Sequence, residues 1–99
     1  MRDAIEIQDL YEGAYLICQG FSLDGLDLRG TNGRKVVSFI ISGEGIKSAD
    51  AEYRAGRAMA NVALLKFTMD QLKDQMFARI REREREESTH HEARYRRGA

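Results

Sequence analysis

The spacing of apolar residues changes along the chain and divides it into helical and extended segments. Between Asp9 and Gln19 apolar residues recur every three to four positions, which predicts a three-turn helix. Asp9, a better N-cap than Gln8, is placed to begin this helix. Gly20 falls where a left-handed residue would end it.

The period becomes two after this helix, which predicts a strand. Phe21 and Leu23 share one face, whereas Leu26 and Leu28 continue the alternation one residue out of phase. A β-bulge absorbs such a slip with one extra residue, and glycine is favoured there. We therefore expect a bulge at Asp24–Gly25.

A tight turn and a second strand follow. The run from Gly30 to Gly33 contains Asn-Gly, a strong hairpin signal between two extended segments. The next strand, from Arg34 to Ser42, should pair antiparallel with the first. Its centre, VVSFII, is apolar on nearly both faces, which predicts cover on each side or an interface.

Two helices are predicted in the remainder of the chain. Ser48 is a plausible N-cap for a short helix over residues 49–54, ended by Gly56. Asn61 is placed to cap a long helix that we expect to reach Glu87. Its apolar residues follow an a/d heptad stripe, and further apolar residues widen that stripe. The stripe comprises Val62, Leu65, Met69, Leu72 and Met76, widened by Leu64, Phe67, Phe77 and Ile80.

These elements predict an α+β fold: an N-terminal helix, a two-stranded antiparallel hairpin, a short helix and a long C-terminal helix. With 99 residues, one hydrophobic core is the default. We expect a single α+β domain over residues 1–80. Residues 79–87 read RIREREREE, so residues 81–99 should form a charged helical extension whose end, from Ser88, frays.

Charge and cysteine content narrow the possible partners and the compartment. The 16 basic and 16 acidic residues give a net charge of zero, which argues against duplex DNA or an anionic membrane as a partner of the whole molecule. Cys18 is the single cysteine, so no internal disulfide forms and a reducing compartment is expected. No apolar segment has the pattern of an export signal or the length of a membrane span. We predict a cytoplasmic protein.

Several short motifs occur in a characteristic order along the chain: Asp9-Leu10-Tyr11, Ala14-Tyr15-Leu16, Gly20-Phe21, Tyr53, Gly56, Asn61 and Leu72-Lys73. This order resembles a family of small uncharacterised prokaryotic and phage domains, a domain of unknown function. The resemblance covers about Ile5 to Ile80 and implies an α-β-β-α arrangement, with no catalytic residues to transfer.

Catalytic, metal and cofactor chemistry has little support in the sequence. The segment from Ser42 to Ser48 has glycines, a lysine and a serine, but not the spacing of a phosphate-binding loop. His90 and His91 are adjacent and cannot chelate one ion together from a helix. A carboxylate pair such as Asp24 and Asp27 is the one acid–base alternative. We predict a protein that is not an enzyme, with no catalytic residue, metal, cofactor or small-molecule substrate.

The favoured hypothesis is a non-catalytic interaction subunit that pairs with another copy, as a homodimer, or with a protein partner. A lone hairpin is marginal in water, and both the second strand and the long helix carry more apolar surface than one sheet face needs. The predicted partner interface comprises Val37, Phe39, Ile41, Leu65, Met69, Leu72 and Met76.

The alternative is a nucleic-acid-associated accessory protein of phage or mobile-element type that uses an arginine-rich helix. Its basis is the excess of arginine over lysine, since arginine favours bidentate phosphate contacts. Tyr53 with Arg54 and Arg57 would add a surface patch. The predicted nucleic-acid contacts are Arg54, Arg57, Arg79, Arg83, Arg94, Arg96 and Arg97.

Overall fold

The fold is mixed α+β, as predicted, and the described residues form three helices and one antiparallel sheet. The computed structural model describes the backbone of residues 2–30 and 36–97 and the side chains of these residues as far as residue 86. The predicted Asn32-Gly33 turn lies outside the described residues. The elements are β1 (Asp3–Ile7), α1 (Leu10–Cys18), β2 (Ser22–Arg29), β3 (Val36–Gly43), α2 (Ile46–Arg54) and α3 (Val62–Arg97).

The sheet has three strands, so the prediction of a two-stranded hairpin is wrong in this respect. The strand order is β1-β3-β2, and β3 pairs antiparallel with both neighbours. β1 has only five residues, too few for a clear alternation signal, and its pairing partner is more than thirty residues away. Because β1 pairs along β3, the sheet no longer needs a second molecule to add a third strand.

The predicted bulge in β2 is confirmed. Leu23 pairs with Ile41 and Gly25 pairs with Ile40, so Asp24 is the extra residue.

The hydrophobic core lies between one face of the sheet and the helices. Ile7 and Leu26 flank Phe39 across the three strands, so all three side chains share that face. Leu16 of α1 and Leu72 of α3 are completely enclosed with Phe39. The buried apolar residues are Ile7, Ala14, Tyr15, Leu16, Leu28, Val37, Phe39, Ile41, Ile46, Met69 and Leu72.

The ends of α1 match the sequence prediction. Asp9 Oδ1 accepts hydrogen bonds from the backbone N–H groups of Tyr11 at 2.8 Å and Glu12 at 3.1 Å. Gly20 has φ of 100°, a left-handed conformation that glycine adopts at little cost. Its N–H donates to the carbonyl of Ile17, and the next N–H donates to Leu16. These bonds form a Schellman motif, which satisfies the last carbonyls of the helix.

α2 begins earlier than predicted. Its first residue is Ile46 and its N-cap is Gly45, so the prediction of Ser48 as N-cap is wrong. No side chain caps this end. Ile46 is fully buried, so tertiary packing fixes the first turn where local capping does not. Gly56 ends α2 as predicted, in a second Schellman motif.

α3 begins at the predicted cap and projects beyond the rest of the molecule. Asn61 Oδ1 accepts a hydrogen bond from the Leu64 N–H at 3.0 Å. The 36 residues of α3 span about 54 Å at 1.5 Å per residue. The radius of gyration is 17.1 Å, compared with about 13 Å for a compact chain of this length. The long helix accounts for this elongation.

Candidate interaction surface and buried carboxyl cluster

Most residues of the predicted partner interface lie in the core of the single chain. Val37, Phe39 and Ile41 on β3 are buried, as are Met69 and Leu72 on α3. These five side chains pack in the chain's own core and leave little surface for a partner. Leu65 and Met76 are partly buried at the edge of the core, and their role in an interface stays a prediction.

The start of α3 carries an exposed apolar surface that we call the α3 patch: Met59, Val62, Leu64 and Phe67. Their exposed fractions are 85%, 79%, 48% and 59%. At 100° per residue, Phe67 lies about 140° around the helix from the buried Leu72. Phe67 therefore faces away from the core, and Leu64 lies about 60° from it around the helix, whereas Val62 lies about 140° from Phe67, on another side of the first turns. Leu64 and Phe67, which widen the heptad stripe in the sequence, are the signal for two of its members, while Val62 belongs to the stripe itself. The sequence does not show which face of the helix becomes buried.

Contacts with α1 hold the α3 patch in place. Gln19, the C-cap residue of α1, donates a hydrogen bond from Nε2 to the carbonyl of Met59 at 3.3 Å. The Cys18 thiol donates to Thr68 Oγ1 at 3.4 Å. With the Asn61 cap, these bonds fix the segment that leads into α3 and its first two turns. The patch is thus carried by ordered backbone.

Charges of both signs surround the exposed side of α3. Lys66 and Asp70 are exposed, as is Asp74, while Lys73 is half-buried. Phe77, 48% exposed, lies ten residues further along α3, about 80° around the helix from Phe67. A surface with this mixture has no strong electrostatic preference for an acidic or a basic partner.

The arginines predicted to contact nucleic acid are partly engaged within the chain. Arg57 forms two hydrogen bonds with Glu52, at 3.0 and 3.3 Å. Arg79 Nη1 lies 3.7 Å from Glu82 Oε2. Arg83 is half-buried on α3, and the side chains of Arg94, Arg96 and Arg97 lie outside the described residues. The nucleic-acid alternative stays a prediction.

Arg54, whose side chain is largely exposed, contacts two mostly buried carboxylates and forms with them a cluster that the sequence did not predict. Its Nε lies 3.0 Å from Asp50 Oδ2 and 3.3 Å from Glu12 Oε2. Glu12 is only 6% exposed, although it is charged in isolation at neutral pH. Its position three residues before the buried Tyr15 is a weak sequence signal, since residues three apart share a helix face.

An open cleft of about 430 Å³ lies beside this cluster, where the end of β1 approaches α1 and α2. Arg29 stands at the cleft and is held by Asp27 at 2.6 Å and Glu6 at 3.5 Å. The hydrogen bond and charge of Asp27 raise the pKa of Arg29, so it stays cationic. The lining residues are Glu6, Ile7, Gln8, Glu12, Arg29, Ser38 and Arg54.

Tyr53 packs on α1, beside the carboxyl cluster. Its ring centroid is 5.5 Å from that of Tyr15, with a tilt of 34°, a favourable distance for an aromatic pair. Burial, followed by the charges of Asp9 and Glu12, raises the pKa of Tyr53. Tyr53 thus serves the contact between α1 and α2.

Neither a metal cluster nor a membrane-spanning helix is found in the part of the chain that the structure describes. No three His, Cys, Asp or Glu side chains there are close enough to hold one ion. The helices there lack an apolar stretch long enough to cross a bilayer. Within the described residues, neither Cys18 nor the pair Asp24 and Asp27 belongs to a group of three potential metal ligands.

The chain matches no protein-family model, no curated protein and no solved structure. The resemblance to a prokaryotic and phage domain family therefore stays a prediction, and neither functional hypothesis gains support from known proteins.

Proposed function

We propose that the protein is a small non-catalytic interaction subunit that self-associates through the α3 patch. The observation that carries this proposal is the exposure of four large apolar side chains between residues 59 and 67, with Phe67 turned away from the core. Monomeric proteins scatter single apolar residues over their surface, whereas a concentrated group of large ones is typical of an interaction site.

A second copy of the chain is the occupant that the charges favour. The α3 patch is flanked by Lys66, Asp70 and Asp74, and the whole chain has no net charge. A strongly acidic or basic partner would gain little here, whereas an identical surface of mixed sign can place opposite charges against each other about a two-fold axis. The hydrogen bonds that fix the start of α3 lower the entropy cost of pairing.

The mass in solution tests this proposal. Light scattering after size-exclusion chromatography, over a tenfold range of concentration, should give the mass of two chains at high concentration. Phe67→Glu should shift the protein to the mass of one chain while its circular dichroism spectrum is unchanged, because the charge would be buried in the interface. Ser48→Glu is the matched control, since it adds the same charge at an exposed position on α2.

Two results would contradict the proposal. The mass of one chain for the natural sequence at every concentration would exclude self-association in this range. Equal dimerisation of the natural sequence and Phe67→Glu would place the interface elsewhere.

A further inference from the structure

The carboxyl cluster between α1 and α2 contains two carboxylates and one guanidinium. Asp50 and Arg54 are one turn apart on α2, and Glu12 lies in the first turn of α1. The Nε–H of Arg54 donates its hydrogen bond to Asp50 Oδ2 at 3.0 Å. Because one N–H cannot be directed well at two acceptors, Glu12 Oε2, at 3.3 Å, is left without a hydrogen bond.

A second carboxylate oxygen in the cluster also lacks a hydrogen-bond donor. Asp50 Oδ1 is also enclosed and accepts no hydrogen bond from the described residues. Two buried anionic oxygens without donors are costly. A proton on Glu12 satisfies both oxygens at once, because the resulting O–H donates to Asp50, which is within hydrogen-bonding reach of Glu12.

We propose that Glu12 holds a proton that it donates to Asp50, which joins α2 to α1, and that loss of this proton loosens the contact. The cluster would make the contact between α1 and α2 depend on pH, at a site distinct from the α3 patch. Below neutral pH the proton and Arg54 hold both carboxyl groups. Once the proton leaves, two adjacent anions share one guanidinium, and α2 is pushed away from α1.

The groups around Glu12 agree with this assignment. Burial, and next the hydrogen bond and charge of Asp50, raise the pKa of Glu12 from 4.5 to about 7, against the opposing charge of Arg54. Asp9, at the start of α1, raises it further. The remaining titratable or charged groups near the cluster are Tyr11 on α1, Tyr53 on α2, and Glu6 and Arg29 across the cleft.

The arrangement of α2 directs the movement toward the cleft. Ile46 anchors the first turn of α2 in the core with no exposed surface. Asp50 and Arg54 lie in the following turns, and Arg54 lines the cleft. Loosening at the cluster would thus move the C-terminal part of α2 and widen the cleft.

The first experiment compares stability across pH. Glu12→Gln keeps the shape of the protonated acid and cannot ionise. The unfolding constants of the natural sequence and Glu12→Gln should diverge from pH 4.5 to 7, by up to about tenfold per pH unit, with the natural sequence losing stability as pH rises. The sign follows from the raised pKa, since the folded chain binds this proton more tightly than the unfolded chain does. Glu44→Gln, at an exposed loop position, is the control. Its unfolding constant should change with pH in the same way as that of the natural sequence.

The second experiment needs no variant. The carboxyl carbon of Glu12, followed by NMR in the natural sequence, should titrate with a midpoint near 7, and the hydrogen-exchange protection of amides 47–57 should fall as pH passes that midpoint. A Glu12 midpoint near 4.5, or a pH-independent difference between the natural sequence and Glu12→Gln, would overturn the proposal.

Discussion

At the residue scale, Gly43 shows how close packing can require a glycine. A Cβ atom at this position would lie 2.4 Å from Cδ1 of the Phe21 ring, well inside any normal contact distance. Since Phe21 packs against the core, the ring has to move. Gly43→Ala should therefore lower the free energy of unfolding by about 1–3 kcal/mol, measured by urea denaturation.

Gly25→Ala is the control for this prediction. Gly25 lies on neighbouring β2, at the bulge, and a Cβ atom there would meet nothing within 4 Å. Its replacement should change the free energy of unfolding by less than about 0.5 kcal/mol. Gly43 also has φ of 158°, which residues with a side chain rarely adopt, whereas Gly25 has no such constraint. Similar losses for both variants would show that a general cost of replacing glycine in a strand, rather than the crowding and backbone conformation at Gly43, determines the effect.

Gly13 presents the opposite case within α1. A Cβ atom there would lie 3.4 Å from Leu72 Cδ2 and 3.6 Å from both Ile7 Cδ1 and Phe39 Cδ2, which are ordinary contact distances. Because glycine costs backbone entropy in a helix, Gly13→Ala should raise the free energy of unfolding by about 0.5–1 kcal/mol. Thermal and urea unfolding would both detect this gain. A loss of stability would mean that the core cannot accept one more methyl group.

Residues whose role depends on near neighbours in sequence were predictable, whereas Glu12 was not. Asp9, Gly20 and Asn61 end or begin helices through bonds to groups within five residues. The burial of Glu12 depends instead on Asp50 and Arg54, about forty residues away. No local sequence pattern indicates this contact, so the candidate carboxyl cluster can be identified only in the folded structure.

At the element scale, the cap of α3 can be tested directly. Asn61→Ala removes the hydrogen bond to the Leu64 N–H and should lower the free energy of unfolding by about 1 kcal/mol. Asn61→Asp retains a hydrogen-bond acceptor, so its free energy of unfolding should fall much less. Urea denaturation distinguishes the two variants. Equal losses would indicate that packing of the first turn, rather than the cap, sets where α3 begins.

Elements with a strong internal period were predicted, while those defined by distant partners were missed or misplaced. The spacing of apolar residues identifies α1 and most of α3, and the phase slip in β2 locates its bulge. β1 becomes a strand by pairing with residues 39–43 of β3. The start of α2 depends on the burial of Ile46. Both features result from long-range contacts, which a local pattern cannot contain.

At the scale of the whole molecule, the start of α3 was predictable, whereas its end and its orientation were not. The helix continues to Arg97, ten residues beyond the predicted end at Glu87, where fraying was expected from Ser88. A 3.6-residue period shows that one face is apolar, and α3 has apolar residues on several. The stripe predicted as a partner interface supplies Met69 and Leu72 to the chain's own core. The additional residues Leu64 and Phe67 remain outside. Which strip faces inward depends on how α3 meets β2 and α1.

The position where the core ends along α3 predicts the effect of truncation. Ile80 is the last residue that packs against the core among those whose side chains the structure describes. A chain ending at residue 81 should therefore keep a cooperative unfolding transition, with a free energy of unfolding within about 1 kcal/mol of the full chain. Its hydrodynamic radius should decrease by more than its mass alone implies, because the removed helix projects. Loss of cooperativity at concentrations where the full chain is monomeric would show instead that residues beyond 81 support the domain. Loss seen only where the full chain self-associates would mean that the extension packs against a second copy.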